Sequence, residues 1–385
     1  MYAAKELLSI SEVNQLANLS TPSSLNEGTG PAHQLVGQTL NDRWLVSEIR
    51  SPETDDTGGY FSVGYYAVDT QSPDERDEVF VKALDYSRWR ELGFPSLADA
   101  VSHLSAGYRF ERDIVMECAG LRMRNVIRGL DSGSIQIEGF EIFDSVDFIV
   151  FERAESDIRG RLRTIESFDV AWKLHVLHNV ANGLQQLHQH KKAHLDLKPS
   201  NVLCFGDSDL DTMAKIGDLG RAHDETRTGP HSAAVFPGDW NYAPPEVLYG
   251  HNESDRLLQT RQIDMYLLGS MMTFMFTGIG MTAGIMSFLD RALFPTNWRG
   301  SYEDVLPYLR EAYETHLETV ELVIPASMRN TLIGTIKELT DPDVNQRGFP
   351  RNPVGSKSRF SMEKYVSIIN RLSREADMKL KAELQ

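Results

Sequence analysis

The 385-residue chain has few cysteines and fewer cationic than anionic side chains. Its two cysteines, Cys118 and Cys204, lie far apart and lack metal-ligand spacing. A disulfide framework or a zinc site is therefore not expected, and free thiols favour a reducing, cytoplasmic location. Lysine and arginine number 39 against 55 aspartates and glutamates, which gives a formal net charge of −16. Nucleic acid and anionic membranes repel such a chain, so neither is an expected partner.

The chain also lacks the pattern of a signal peptide and has one long run without charge. Residues 1–18 have no basic start followed by an apolar run, and their spacing predicts a short amphipathic helix instead. Residues 265–289 contain no charged side chain and are long enough to cross a bilayer. Because Gly278 and Gly280 interrupt this run, we interpret it as a buried core helix that ends there and is followed by a loop. We predict no membrane insertion.

Hydrophobic periodicity divides the chain into a strand-rich part and a helix-rich part. Residues 1–39 form an arm and a linker of Ser, Thr, Gly and Pro. Short apolar runs predict strands at 43–49, 64–69, 78–84, 125–132, 134–143 and 148–151. Helical spacing predicts helices at 97–120, 170–190 and 362–384. This order predicts an α+β fold with a small β-rich lobe at 40–151, a larger helical lobe at 152–360 and a C-terminal helix at 361–385.

The segment 194–201, HLDLKPSN, carries the strongest chemical pattern. Phosphoryl transfer needs a carboxylate for the attacking hydroxyl, a cation for the transferred group and an oxygen ligand for Mg²⁺. One loop supplies all three here, and the segment resembles the catalytic loop of eukaryotic-like (Hanks-type) protein kinases, H-R-D-x-K-x-x-N. The resemblance implies that Asp196 is the base, Lys198 contacts phosphate and Asn201 binds magnesium.

Further motifs of that family follow in the same order along the chain. Residues 215–220, KIGDLG, resemble the strand that ends in D-F-G, which implies that Asp218 is a magnesium ligand. Residues 242–246 resemble the A-P-E segment, 264–269 the D-x-W-x-x-G helix start, and 343–347 the late D-P-x-x-R. The resemblance implies a structural ion pair between Arg347 and Glu246. It extends from about residue 40 to residue 347, and it implies a bilobal protein-kinase fold.

The lysine that contacts the α- and β-phosphates of ATP is expected on a strand. Residues 79–83, VFVKA, resemble the family's V-A-I-K and place Lys82 in that role. Its helical partner stays open among Glu111, Asp113 and Glu117. We favour Glu111, because apolar residues follow it at i+3 and i+4 as on a buried helix face.

The expected nucleotide loop is degenerate. Residues 57–67 resemble G-x-G-x-F-G-x-V-Y-x-A, where Gly59 and Phe61 match but Ser62 replaces a glycine. Glu152 and Ala154 align with the hinge, whose backbone groups bind adenine in this family. The resemblance therefore implies ATP and Mg²⁺ as cofactors, with nucleotide contacts from Gly59, Phe61, Ser62, Lys82, Glu152 and Ala154.

Two departures and three alternatives qualify this interpretation. Leu195 replaces the arginine before the base, which makes the chain non-RD, and Asp239 stands where a threonine is usual and could pair with Lys198. The hypothesis is a serine/threonine protein kinase that acts on unidentified protein substrates. The alternatives are a pseudokinase scaffold, a small-molecule kinase of the aminoglycoside-phosphotransferase type and a tyrosine kinase.

Regulation through the predicted activation segment depends on a missing arginine. The hydroxyls available to a phosphate there are Thr226, Thr228 and Ser232. Leu195 cannot receive such a phosphate, although Arg112 or Arg221 could substitute. We therefore expect a regulatory partner, or control by residues 1–18 or 362–384.

Overall fold

The computed structural model describes residues 30–50, 62–72, 78–87, 89, 94–140, 144–164, 169–206, 212–251, 253–354 and 356–383. These residues form two compact units. The strand-rich unit comprises the described residues of 26–167 and 199–233, and the helical unit comprises those of 168–198 and 234–385. An α+β protein with a β-rich N-terminal region and a helical C-terminal part was predicted, and the fold confirms it.

The strand-rich unit is built on an antiparallel sheet with the order β1-β2-β3-β4-β6-β5 among the described residues. Its strands are β1 (Thr39–Leu40), β2 (Trp44–Ile49), β3 (Ser62–Asp69), β4 (Glu78–Leu84), β5 (Gly129–Gln136) and β6 (Ser145–Glu152). A smaller sheet has the order β10-β9-β7, and the short strand β11 completes the unit. The bounds of these strands are β7 (Ser156–Asp157), β9 (Val202–Phe205), β10 (Met213–Ile216) and β11 (His223–Asp224).

Strand alternation decides where the lysine of β4 points. Val79, Val81 and Ala83 are buried and pack into the core of the sheet. Because successive side chains of a strand point to opposite faces, Lys82 lies on the other face. Its register partner on β6 is Ile149.

The helix of the strand-rich unit has the predicted bounds. Helix α1 (Leu97–Gly120) begins after Ser96, whose side chain accepts from the backbone N–H of Asp99. Ala100, Leu104, Ile114, Val115 and Cys118 line its buried face together with Glu111. This face packs against β5, so the sheet fixes the rotation of the helix. A second helix of this unit, α2, spans Ile158–Thr164.

One strand replaces the two that were predicted at 125–132 and 134–143. Residues before Gly129 turn to β10 instead: the amide of Asn125 donates to the Ala214 carbonyl at 3.2 Å. The strands predicted at 125–132 and 134–143 leave a break at Gly133, but this residue lies inside β5. A Cβ atom there would lie 2.7 Å from the Asn41 side chain, so this glycine permits a close approach instead of a turn.

The helical unit is assembled from seven helices among the described residues and the short strand β8 (Lys192–Ala193). They are α3 (Val170–Gln189), α4 (Pro245–Leu248), α5 (Arg256–Thr277), α6 (Met281–Phe288), α7 (Tyr302–Val323), α8 (Arg329–Thr340) and α9 (Glu363–Glu383). The predicted amphipathic C-terminal helix is α9, and it packs on α3 through Tyr365, Ile369, Leu372 and Ala376, which are all buried.

The long run without charge forms a buried helix, as predicted, but no loop follows it. Helix α5 ends at Gly278, which adopts φ 77° and donates to the Phe274 carbonyl at 2.8 Å. A second helix, α6, begins at Met281, whose N–H donates to Ser270 at 2.9 Å. Within the described residues no single helix is long and apolar enough to span a bilayer. Taken together, helices α5 and α6 are long and apolar enough to span a bilayer, but they meet at a bend of 75°.

Candidate active site

The predicted catalytic loop is held in the helical unit by a buried carboxylate. Asp264, at the start of the apolar part of α5, accepts from the backbone N–H groups of His194 at 2.9 Å and Leu195 at 2.8 Å. It also lies 2.7 Å from His188 Nε2. Burial alone would raise the pKa of Asp264, but the hydrogen bonds and the nearby histidines lower it overall. Asp264 therefore stays ionised, and it shapes the loop at Leu195, which adopts φ 62°.

Asp196 and Lys198 lie in one charged cluster with Asp239. The backbone N–H of Asp239 donates to Asp196 Oδ1 at 2.7 Å. The Lys198 ammonium lies 3.2 Å from Asp239 Oδ2 and 3.7 Å from Asp196 Oδ2. Gly238 permits the close approach of this segment to the loop, because a Cβ atom there would lie 2.2 Å from the Leu195 carbonyl oxygen. The cluster thus holds a carboxylate and a cation side by side, and the proposed pairing of Asp239 with Lys198 is present.

The strand-rich unit assembles a second cluster around Lys82. Its ammonium lies 2.8 Å from Glu111 Oε1 and 3.2 Å from Asp218 Oδ1. Desolvation opposes the charge of Lys82, but the two carboxylates outweigh it and raise the pKa of the ammonium. Burial raises the pKa of Glu111. Asp218 follows β10 in the left-handed conformation, with φ 56° and ψ 71°, which turns the chain there.

The choice among three acidic partners is settled by the rotation of α1. Glu111 faces inward and contacts Lys82, as favoured from the sequence. Asp113 pairs with Arg112 at 2.7 Å on the exposed side of the helix. Glu117 contacts Arg227 from the segment that follows Asp218.

Asn201 and Asp218 lie at the ends of two paired strands. Val202 of β9 is in register with Ile216 of β10, and the N–H of Gly217 donates to the Asn201 carbonyl at 2.8 Å. One amide side chain and one carboxylate form a donor set of the kind that Mg²⁺ accepts. Among the described residues, no cluster of three or more His, Cys, Asp or Glu could hold a metal by itself. The set therefore suits a magnesium ion that takes further ligands from phosphate and water.

Of the remaining predicted nucleotide contacts, the structure describes Ser62, Glu152 and Ala154. Ser62 is the first residue of β3, while Gly59 and Phe61 lie outside the described residues. The Glu152 carboxylate accepts from Lys215 at 2.6 Å and from the Arg128 N–H at 2.8 Å. Its side chain thus joins β6 to β10, so only backbone groups of this region remain for the adenine contacts predicted from the sequence. Ala154 is half-buried just beyond β6.

The predicted structural ion pair is present in the helical unit. Arg347 contacts Glu246 with both terminal nitrogens, at 2.6 Å and 2.7 Å, and its side chain is fully buried. Desolvation disfavours the cation, but Glu246 offsets this and raises the pKa of Arg347.

Sequence reasoning missed two parts of this arrangement. Asp264 was recognised only as a helix-start motif, although it fixes the catalytic loop through two backbone hydrogen bonds. Arg227 was not singled out, and nothing in its local pattern points to its contact with Glu117.

Comparison with known proteins agrees with the geometry. The family model described as "Protein kinase domain" matches residues 114–288. The chain is 30% identical over 132 residues to a probable cyclin-dependent kinase 8 of Dictyostelium discoideum, covering 33% of each protein. It is 39% identical over 77 residues to a membrane-associated tyrosine- and threonine-specific cdc2-inhibitory kinase of Drosophila melanogaster, covering 20% of this chain and 14% of the relative.

A bacterial relative matches over a longer stretch. The serine/threonine-protein kinase PknJ of Mycobacterium tuberculosis is 28% identical over 188 residues, which cover 47% of this chain and 30% of the relative. The matches thus span at most a third of each of these three relatives. The motifs in order, the Lys82 and Asp196 clusters and the match of the protein kinase domain to residues 114–288 make this chain similar to the eukaryotic-like (Hanks-type) protein kinases.

Proposed function

We propose that this chain is an ATP-dependent serine/threonine protein kinase of the non-RD type. The observation that carries the proposal is the ion-pair set of Lys82 with Glu111 and Asp218. The sequence separations of these pairs are 29 and 136 residues. A lysine held between two carboxylates remains charged and fixed in place, as a contact with the phosphates of ATP requires, and a scaffold without nucleotide chemistry does not need this.

The remaining roles follow from the chemistry of each group. Asp196 accepts the proton of the acceptor hydroxyl, and Lys198 neutralises charge on the transferred phosphoryl group. Asn201 and Asp218 would hold Mg²⁺, which supplies charge neutralisation to the phosphates of ATP. The backbone near Glu152 and Ala154, with the loop at Gly59, Phe61 and Ser62, would hold the nucleotide.

The structural ion pair separates this proposal from a small-molecule kinase. Enzymes of the aminoglycoside-phosphotransferase type lack the A-P-E segment and its partner arginine, whereas Glu246 and Arg347 are paired here. This pair therefore supports a protein acceptor. One relative is named as tyrosine- and threonine-specific, so the acceptor hydroxyl has to be identified directly.

Location and regulation are also part of the proposal. Two buried free cysteines suit a cytoplasmic protein. A regulatory partner would act through the N-terminal arm or the C-terminal helix, because Leu195 cannot receive a phosphate.

The test compares wild-type protein with Asp196→Asn in autophosphorylation and in transfer to a generic protein acceptor, with ATP and Mg²⁺. Asparagine keeps the shape and can still accept from the Asp239 N–H, but it cannot take a proton. We expect phosphotransfer to fall by about 1,000-fold or more and the ATP dissociation constant to change less than about 3-fold.

Three outcomes would count against parts of the proposal. If the Asp196→Asn variant phosphorylated as fast as wild type, Asp196 would not be the catalytic base. ATP binding by wild type without turnover would favour the scaffold. Phosphotyrosine as the main product in phosphoamino-acid analysis would change the acceptor class.

A further inference from the structure

The segment that follows Asp218 lies along one stripe of helix α1. Three α1 residues, His103, Phe110 and Glu117, contact it, and they are spaced seven residues apart. Residues at this spacing lie on the same face of a helix, two turns from one another. The His231 ring lies 5.9 Å from that of His103, and Arg227 contacts Glu117. The stripe therefore meets this segment near both ends of the helix.

The middle of the stripe requires a glycine on the segment. A Cβ atom at Gly229 would lie 2.5 Å from the ring of Phe110, so the backbone packs directly on the ring. The Gly229 N–H donates to Ser232 Oγ at 2.8 Å, and the Ser232 N–H donates back to the Gly229 carbonyl at 3.1 Å. These two hydrogen bonds hold the backbone of Gly229 in contact with the Phe110 ring of α1.

Arg227 fastens the segment at the C-terminal end of the stripe. Its Nε lies 2.8 Å from Asp224 Oδ2, and its Nη2 contacts Glu117. The Asp224 side chain is fully buried, whereas Arg227 and Glu117 are about one-third exposed. One guanidinium thus joins a buried carboxylate of the segment to a carboxylate of the helix. We call Glu117, Asp224, Thr226 and Arg227 the Arg227 clasp.

Thr226 supports the same buried carboxylate. Its N–H and its hydroxyl both donate to Asp224 Oδ1, at 2.8 Å and 2.6 Å. The Thr226 residue itself is exposed. Its hydroxyl is therefore open to chemistry while it donates to the centre of the clasp.

The clasp acts on the same helix that carries Glu111. Glu111 is adjacent to Phe110, and a Cβ atom at Gly220, near the start of the segment, would lie 3.2 Å from Glu111 Oε2. Fixing α1 along the stripe therefore fixes the carboxylate that contacts Lys82. Arg112, one candidate phosphate receiver, is already paired with Asp113 at 2.7 Å.

We propose that Thr226 is a phosphorylation site whose modification opens the Arg227 clasp and lowers activity. Its effect on activity rests on the proposed kinase function, whereas the opening of the clasp does not. The donor is ATP, used by this chain or by another Ser/Thr kinase. A new bond forms between Thr226 Oγ1 and the γ-phosphorus, the bond from that phosphorus to the β–γ bridging oxygen breaks, the hydroxyl proton passes to a base, and ADP leaves.

Phosphorylation removes the hydroxyl proton that Thr226 donates to Asp224 and adds negative charge at the same position. The phosphate that replaces this proton carries close to two negative charges beside a buried carboxylate and competes with Glu117 for Arg227. The added charge is what separates the segment from α1, because the Thr226 N–H still donates to Asp224 when only the hydroxyl is lost. This outcome is opposite to the usual activating role of such phosphates.

The experiment compares Thr226→Glu with Thr228→Glu, which adds the same charge two residues away at another exposed position. Hydrogen exchange of α1 in the full chain measures the clasp without any catalysis. We expect Thr226→Glu to speed exchange in the second half of α1 by about 10-fold and to lower autophosphorylation by a similar factor. Thr228→Glu is expected to stay within about 2-fold of wild type in both.

A third variant tests the charge mechanism and guards against general misfolding. Asp224→Asn removes the carboxylate that both Arg227 and Thr226 contact, so it should speed exchange in α1 by itself. Adding Thr226→Glu to Asp224→Asn should then increase this exchange by less than about 2-fold. Equal exchange in Thr226→Glu and wild type, or equal effects of the two Glu variants, would overturn the proposal. Altered exchange together with an inactive wild-type protein would support the clasp and count against the kinase function alone.

Discussion

The Asp239 carboxylate lies 3.2 Å from the Lys198 ammonium, while the backbone N–H of the same residue donates to Asp196 at 2.7 Å. One residue therefore positions both the proposed base and the proposed phosphate contact. A threonine, usual at this place in the family, would offer a neutral hydroxyl to both. The carboxylate instead makes a charged contact with the lysine, which restricts its position more strongly.

We predict that Asp239→Asn lowers kcat by about 10-fold to 100-fold and changes the KM for ATP by less than about 3-fold. The variant loses a charge-assisted contact worth about 1.5–3 kcal/mol but keeps the backbone bond to Asp196. Steady-state kinetics with ATP and a protein acceptor would measure this.

A matched control exists in the same unit. Asp290 caps a short 3₁₀ helix by accepting from the Ala292 N–H at 2.8 Å, as Asp239 does from the Asn241 N–H at 3.0 Å. Asp290→Asn should leave kcat unchanged. Equal kinetics for Asp239→Asn and wild type would mean that its contact with Lys198 has no role in turnover.

We predict that Asp218→Asn weakens nucleotide binding only when magnesium is present. The substitution removes a carboxylate oxygen that would bind the metal, while Lys82 keeps its contact with Glu111 at 2.8 Å. Calorimetry with ATP, with and without Mg²⁺, should show an affinity loss of about 10-fold or more in the magnesium titration alone. Retained activity with unchanged Mg-ATP affinity would exclude Asp218 as the metal ligand.

We predict that a triple variant with Ala at Thr226, Thr228 and Ser232 keeps most of its turnover. No arginine precedes Asp196, so an activating phosphate lacks its usual receiver. Truncation of residues 1–18 or of 362–385 is expected to change turnover several-fold. The C-terminal truncation also removes α9 from α3, so thermal unfolding has to be recorded beside activity. Loss of activity in the triple variant with no effect of either truncation would refute this prediction.

We predict that His316 makes the protein less stable in mild acid. Its ring is buried in α7 against Gly284, and burial lowers its pKa from 6.5 to about 4. Between these values the unfolded chain binds a proton that the folded chain does not, so stability falls as the pH falls from 6.5 to 4. Below pH 4, this difference in pKa lowers the free energy of unfolding by about 3 kcal/mol in total.

The measurement is urea unfolding of wild type and His316→Gln at several pH values. Glutamine cannot take up a proton, so the variant should lose less stability than wild type between pH 6.5 and pH 4. Parallel pH profiles for His316→Gln and wild type would contradict the prediction.

The sequence predicted those features that a short pattern encodes, such as α1 with both ends and the pairing of Glu246 with Arg347. The choice of Glu111 over Asp113 and Glu117 could be favoured but not decided, because it depends on how the sheet rotates α1. Gly133 and Gly280 were misjudged for a related reason. A glycine that permits a close approach in a strand, or that precedes a second helix, has the same local sequence as one that ends an element.

The buried contact between Arg347 and Glu246 also restricts the order in which the chain can fold. These residues are 101 positions apart, and Arg347 further contacts the Gln262 carbonyl at a separation of 85. At a synthesis rate of about 5–20 residues per second, Glu246 waits about 5–20 seconds on the ribosome before its partner exists. During most of that interval the apolar helix α5 lacks α8, which packs against it in the folded protein. The nascent chain is therefore expected to depend on chaperones until Arg347 has been made.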